Sequence, residues 1–234
     1  MQTTEAPHAH APVEVIDSRL GAALYDRFLW FGERRGMARL RRELLAGARG
    51  EVLEIGAGTG LNLPHCPADL DRLVLVEPGE RIGAHIDLVR APAGVPAELI
   101  HAPAEYLPFD DASFDTVVST LVLCTVADPA RAVAEAARVL RPGGRLLFLE
   151  HVRAEPGARR TLQRRLARPW AGFAGGCRCD RDTLATIESQ MRIETVERAA
   201  WRGMPAIVKP LIWGEARPAR WSSPATAPKP PPPP

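Results

Sequence analysis

Apolar residues first recur at helical spacing and then change to short continuous runs. Leu20, Leu24, Phe28 and Phe31 return at intervals of four and three, and Leu40 and Leu44 repeat the interval of four. That is the stripe of an amphipathic helix. It predicts helices between Asp17 and Ala48, broken near Gly32 and Gly36. The basic run Arg34, Arg35, Arg39, Arg41 and Arg42 then reads as a solvated outer face, with a membrane surface as the alternative. From residue 50 the runs become short and apolar. Glu51–Ile55, Leu73–Glu77, Glu98–His101, Phe114–Leu123 and Arg145–His151 read as strands, with helices at Gly79–Arg90 and Pro129–Leu140. Asp128-Pro129 offers an N-cap and a proline at the first helical position, and RPGG at 141–144 closes the same helix. Farther on, Arg159–Arg168 and Arg181–Met191 read as helices, and Ile193–Ala199 and Ala206–Ile212 as strands. Apolar strands alternating with helices imply a mostly parallel, doubly wound α/β sheet covered on both faces.

The ends break the pattern. Residues 1–17 are polar and contain Pro and His, and residues 218–234 finish in KPPPPP, which favours an extended, unpacked chain. We expect disordered tails at 1–17 and 218–234 around one domain, 18–217. Its parts are N-terminal helices (18–48), a core (50–152) and a cover with the last strands (153–217). The 234 residues are 46% hydrophobic and 25% charged, which suits a globular core. No apolar run reaches the roughly 20 residues of a membrane span, and no secretory leader is legible. A net charge of +2 argues against a nucleic-acid partner. Four cysteines do not make a disulfide framework, so a cytoplasmic location is expected.

The densest chemical signal is EVLEIGAGTGLNLP, residues 51–64. Gly56, Gly58 and Gly60 follow a strand, where they allow a sharp turn and close approach of backbone to a ligand. A dinucleotide fingerprint needs its third glycine at position 61, which is Leu61; a nucleotide-binding P-loop needs a lysine, and none precedes Lys209. Glu77 ends the next strand, placed to accept hydrogen bonds from a ribose diol. The segment HAPAEYLPFDDASFDTVVSTLVL, residues 101–123, adds a loop able to reach an adenine edge, although Leu107, Pro108 and Phe109 also suit a core plug.

In combination these motifs, with RVLRPGG, resemble the class I S-adenosylmethionine-dependent methyltransferases over about residues 50–152. The resemblance implies the Rossmann-like methyltransferase fold with a seven-stranded sheet, and S-adenosyl-L-methionine as cofactor. It implies cofactor-binding roles for Tyr25, Glu54, Gly56, Gly58, Gly60, Asn62, Glu77 and Leu121, with Ala104 and Glu105 at the adenine end. STLVLCTVADP (119–129), FLEHVRAEP (148–156) and RPWAGFAGGCRCDRDT (168–183) are similar to the small-molecule thiol methyltransferase branch. That extends the likeness over about 18–217. Mammalian members carry an N-terminal hydrophobic anchor, and residues 1–17 hold none; membrane contact is therefore the less favoured expectation.

What is implied is methyl transfer to a small apolar acceptor, a thiol first. The alternatives are C-, O- or N-methylation of a quinone, polyketide or lipid, or a cofactor-binding protein without turnover. His151, at a strand end, is the candidate catalytic base, or else a structural histidine satisfied by Glu150 or the backbone. Trp170, Phe173 and Cys124 are candidate substrate contacts, with core packing as the bland reading of each. No set of oxygen ligands is apparent among Asp128, Asp180 and Asp182, and Cys177-x-Cys179 alone makes a weak zinc signal; no metal is expected.

Overall fold

Strand β1 (Glu51–Ile55) lies inside the sheet, with parallel strands reached by crossovers on both sides. The computed structural model describes residues 32–219. It places β1 between β2 (Arg72–Val76) and β4 (Phe114–Thr120), with β3 (Ala97–Ile100) outside β2. The order is β3-β2-β1-β4-β5-β7-β6, with β5 at Leu140–His151, β6 at Met191–Ala200 and β7 at Pro210–Pro218. Among the described residues only β7 runs antiparallel to its neighbours, β5 and β6. The sheet is the seven-stranded, mostly parallel one expected.

Period two along the strands divides the core. Val52, Leu73 and Leu75 pack into one apolar cluster; Leu53, Ile55, Val74 and Val76 point to the other face and a second cluster. Burial on both faces is why these strands lack polar alternation. Helix α1 (Ala38–Leu45) covers the first cluster through Leu44 and Leu45. Helix α3 (Pro129–Val139) covers the second through Ala132, Val133, Ala136 and Val139. Asp128 caps α3 as expected, its carboxylate accepting from Arg131 N–H at 3.0 Å.

Several predicted boundaries move, each for a local reason. The helix expected over Gly79–Arg90 is only α2 (Glu80–Gly83) and a 3₁₀ turn at Leu88–Arg90. Asp87 accepts from Val89 N–H at 3.1 Å and so starts the turn afresh. The strand expected to reach Leu123 stops at Thr120, where Leu121 takes φ +60°. RPGG does not follow α3 as a separate cap: it lies within β5 at an irregularity in the pairing with β4. Helix α4 (Ala158–Phe173) is longer than predicted, and α5 (Thr183–Glu188) is shorter, because Asp182 caps its start and Met191 already belongs to β6. Ala206–Val208 is a 3₁₀ turn rather than the start of a strand. The kink predicted at Gly36 is present, with φ +126°. Tyr25, the helix predicted before residue 32 and the two tails, apart from Pro218 and Ala219, lie outside the described residues. Among the described residues no helix is long and apolar enough to cross a membrane.

Candidate active site

The carboxyl ends of β1, β2, β4 and β5 converge, as they must in a parallel sheet, and the loops that follow them carry the chemistry. Gly56, Gly58 and Gly60 all hold positive φ, at 61°, 58° and 77°. A Cβ at Gly56 would stand 2.6 Å from Val122 Cγ2, whereas one at Gly58 would meet nothing within 4 Å. The loop is thus packed against the β4 turn on one side and open on the other. Glu77 spans the opening. Its Oε2 accepts from Gly58 N–H at 2.9 Å and its Oε1 from Gly79 N–H at 3.0 Å. Burial pushes this carboxyl above its ordinary value, and the two amides pull it back. A carboxylate with two oxygens has acceptor capacity beyond these two bonds. Open backbone beside an oriented, buried acid fits an adenosyl ligand.

Under the loop runs a polar network that the sequence did not reveal. Arg41, expected on a solvated face, is buried. It pairs with Glu33 at 3.1 Å and donates from Nη1 to Asn62 Oδ1 at 2.8 Å. Asn62 Nδ2 donates in turn to Glu54 Oε1 at 2.9 Å and Thr120 Oγ1 at 3.0 Å. Burial raises Glu54 to about 7, against the Asn62 bond and the Arg41 charge, which lower it. Glu54 and Asn62 therefore sit at the loop, as expected, and fix its floor. Arg41 escaped notice because an arginine in an arginine-rich helix looks like surface.

Other predicted positions are held by internal contacts. Ala104 is core, and Glu105 turns to the start of α3, its Oε1 accepting from Ala127 N–H at 2.8 Å and Asp128 N–H at 3.2 Å. These bonds make Glu105 a clasp on the loop before α3. Leu121 shapes the β4 turn by its left-handed backbone. That turn hangs on Glu150, which is fully buried. Glu150 accepts from Ser119 Oγ at 2.7 Å and from the Val122 and Leu123 N–H groups at 3.1 Å each. Burial lifts it to about 7 despite those three donors.

Glu150 does not pair with His151; as successive strand residues they point to opposite faces. The His151 ring stands 5.5 Å from Trp201, and burial drops its pKa to about 4, although the Pro210 and Val208 backbone favours the charged form. It is therefore a neutral imidazole at pH 7. Cys124 and Cys177 hydrogen-bond through their side chains, which pushes Cys124 up and Cys177 down; the Trp170 side chain also favours the Cys177 thiolate. The sequence offers Cys177 with Cys179, but the fold sets Cys177 beside Cys124 and His151. Trp170 stacks obliquely on Phe173 at 5.6 Å, and Phe173 is 64% exposed. Cys124, Cys177 and Trp170 thus pack into one sulfur- and indole-rich cluster, with Phe173 exposed beside Trp170.

Comparison with known proteins agrees with this geometry. The methyltransferase domain family matches residues 53–148. The rat thiol S-methyltransferase TMT1B is 34% identical over 189 residues, which cover 74% of this chain and 73% of that protein. A phosphatidylethanolamine N-methyltransferase of Cereibacter sphaeroides is 34% identical over 154 residues, 62% of this chain and 72% of its own. Among solved structures, the N-methyltransferase NodS of Bradyrhizobium japonicum in complex with S-adenosyl-L-homocysteine aligns with a TM-score of 0.59 at 19% identity. The alignment covers 81% of this chain and 88% of that one.

Proposed function

Because this chain belongs to the S-adenosylmethionine-dependent methyltransferases, close to the TMT1 thiol S-methyltransferases, we propose that it methylates the sulfur of a small apolar thiol. The cofactor supplies a methyl group made electrophilic by its sulfonium. The chain's residues do the rest. Gly56, Gly58 and Gly60 give it backbone without side-chain obstruction, and Glu77 offers its carboxylate to the ribose. The Glu150-anchored turn at Leu121–Leu123 packs against the cofactor loop at Gly56 and holds it in place. Alignment and exclusion of water are the main demands of such a transfer.

The observation that carries the thiol reading is the 34% identity to a thiol S-methyltransferase, and the apolar, sulfur-rich cluster of Cys124, Cys177, Trp170 and Trp201 beside the β4 turn supports it. With His151 so weak a base, the reacting species is a thiolate formed before transfer. An ordinary thiol is a few per cent ionised at pH 7.

The test is an acceptor panel with methyl-labelled cofactor: alkyl and aryl thiols, phenols, quinones, amines and phosphatidylethanolamine. We expect label on thiols. Label on the phospholipid alone would favour the amine reading suggested by the bacterial relative, and cofactor binding without any label would make the protein a silent binder. The cofactor site is tested separately. Glu77→Ala removes a charged acceptor and two loop bonds and should weaken S-adenosylhomocysteine binding by roughly 100-fold, read by calorimetry. Unchanged affinity would remove Glu77 from the site.

A further inference from the structure

The fold gathers three soft donors that the sequence keeps far apart. Cys124 follows the turn after β4, His151 ends β5, and Cys177 lies in the glycine-rich segment after α4. One ligand atom from each lies within 4.8 Å of the other two, and all three residues are buried. His151 is 4% exposed, and among the described residues its Nδ1 has no hydrogen-bond partner. Buried polar atoms are normally paired, and one nitrogen of this imidazole lies within 4.8 Å of both sulfurs, a grouping that an electron-pair acceptor between them would complete. We propose that Cys124, His151 and Cys177 bind a thiophilic divalent ion, with Zn²⁺ as the natural occupant.

The donor set selects the ion. Two sulfurs and an imidazole suit zinc or a late first-row metal and are wrong for magnesium or calcium, which take oxygen. Around a tetrahedral zinc, with bonds of about 2.3 Å to sulfur and 2.0–2.1 Å to nitrogen, the donors must close by roughly 1 Å from their widest spacing here. Charge also balances: two thiolates and a neutral imidazole around a divalent ion leave no net charge in an apolar setting.

The donors are held from independent directions. Arg178 N–H donates to the Cys124 carbonyl at 2.7 Å, tying the Cys177 segment to the β4 turn. Arg181 Nη1 donates to the Leu123 and Val126 carbonyls at 2.7 Å each, and Thr183 Oγ1 to the His151 carbonyl at 2.6 Å. This support is what a metal site needs around its ligands. Three protein ligands leave a fourth position for water or a substrate atom, the pattern of catalytic rather than structural zinc. Binding converts two thiols to thiolates and so releases about two protons per ion. The site stands whatever atom the methyl acceptor offers.

The test is a Co²⁺ and Zn²⁺ titration of the reduced, metal-stripped full chain. We expect one ion per chain, an intense thiolate-to-cobalt charge-transfer band, release of about two protons, and displacement of Co²⁺ by Zn²⁺ but not by Mg²⁺. Cys124→Ser and Cys177→Ser should each weaken the charge-transfer band and lower Zn²⁺ affinity at least roughly 100-fold, while Cys66→Ser leaves both unchanged. S-adenosylhomocysteine binding, measured in parallel, shows that the variants are folded. Absence of stoichiometric Co²⁺ uptake by the reduced wild type overturns the proposal. So does uptake that survives in the folded double variant, or a Cys124–Cys177 disulfide that resists reduction and excludes the ion.

Discussion

A carboxyl group placed under a backbone loop and away from water either keeps its proton or ionises at a cost to the fold. Glu54 is in this position: burial holds it at about 7 in the folded chain, against an ordinary value of 4.5. The folded state therefore binds the proton more tightly than the unfolded state. The stabilisation is complete below about pH 4.5 and is lost as pH rises through about 7. The loss is at most on the order of 3 kcal/mol. Glu54→Gln keeps an oxygen for Asn62 and has no proton to lose. Its stability relative to wild type should therefore improve between pH 5 and pH 8, measured by urea unfolding at each pH. A gap that stays constant would mean that Glu54 is already ionised throughout. The glycines and Glu77 were legible in the sequence because chemistry restricts what can stand there. Arg41 and Gln163 were not, since a buried polar side chain announces itself only through partners distant in the chain.

Helix α4 shows the same limit at the level of an element. Its sequence, dense in arginine, reads as a surface helix, and most of it is. Yet Gln163, one turn in, is buried and stitches three segments together. Its Oε1 accepts from Ala154 N–H at 2.7 Å, and its Nε2 donates to the Ile207 carbonyl at 2.8 Å and the Cys179 carbonyl at 3.1 Å. The helix thereby fixes the segment that carries Cys177. Gln163→Met fills the same volume without the bonds and should cost about 2–4 kcal/mol, seen as a lower urea midpoint. A loss below about 1 kcal/mol would mean that packing alone holds α4. Helix α2 fails in the opposite direction: the sequence pattern is helical across Gly79–Arg90, but Asp87 diverts the chain through its own side-chain turn.

For the molecule as a whole, the parallel half of the sheet was readable because each strand is a short apolar run set off by a helix. The last two strands were less so. β6 is largely exposed and therefore carries little apolar signal, and the start of β7 was misplaced onto a 3₁₀ turn. Sequence order also conceals that β7 enters between β5 and β6. That insertion governs how the protein can be made. Until residues 210–218 have left the ribosome, β5 has one open edge, β6 has no partner at all, and the strand backing Glu150 and His151 is missing. The nascent chain must therefore hold its site unfinished to nearly the last residue of the sheet. A premature stop before Pro210 would release a polypeptide with a bare, self-associating border in place of a slightly shorter enzyme.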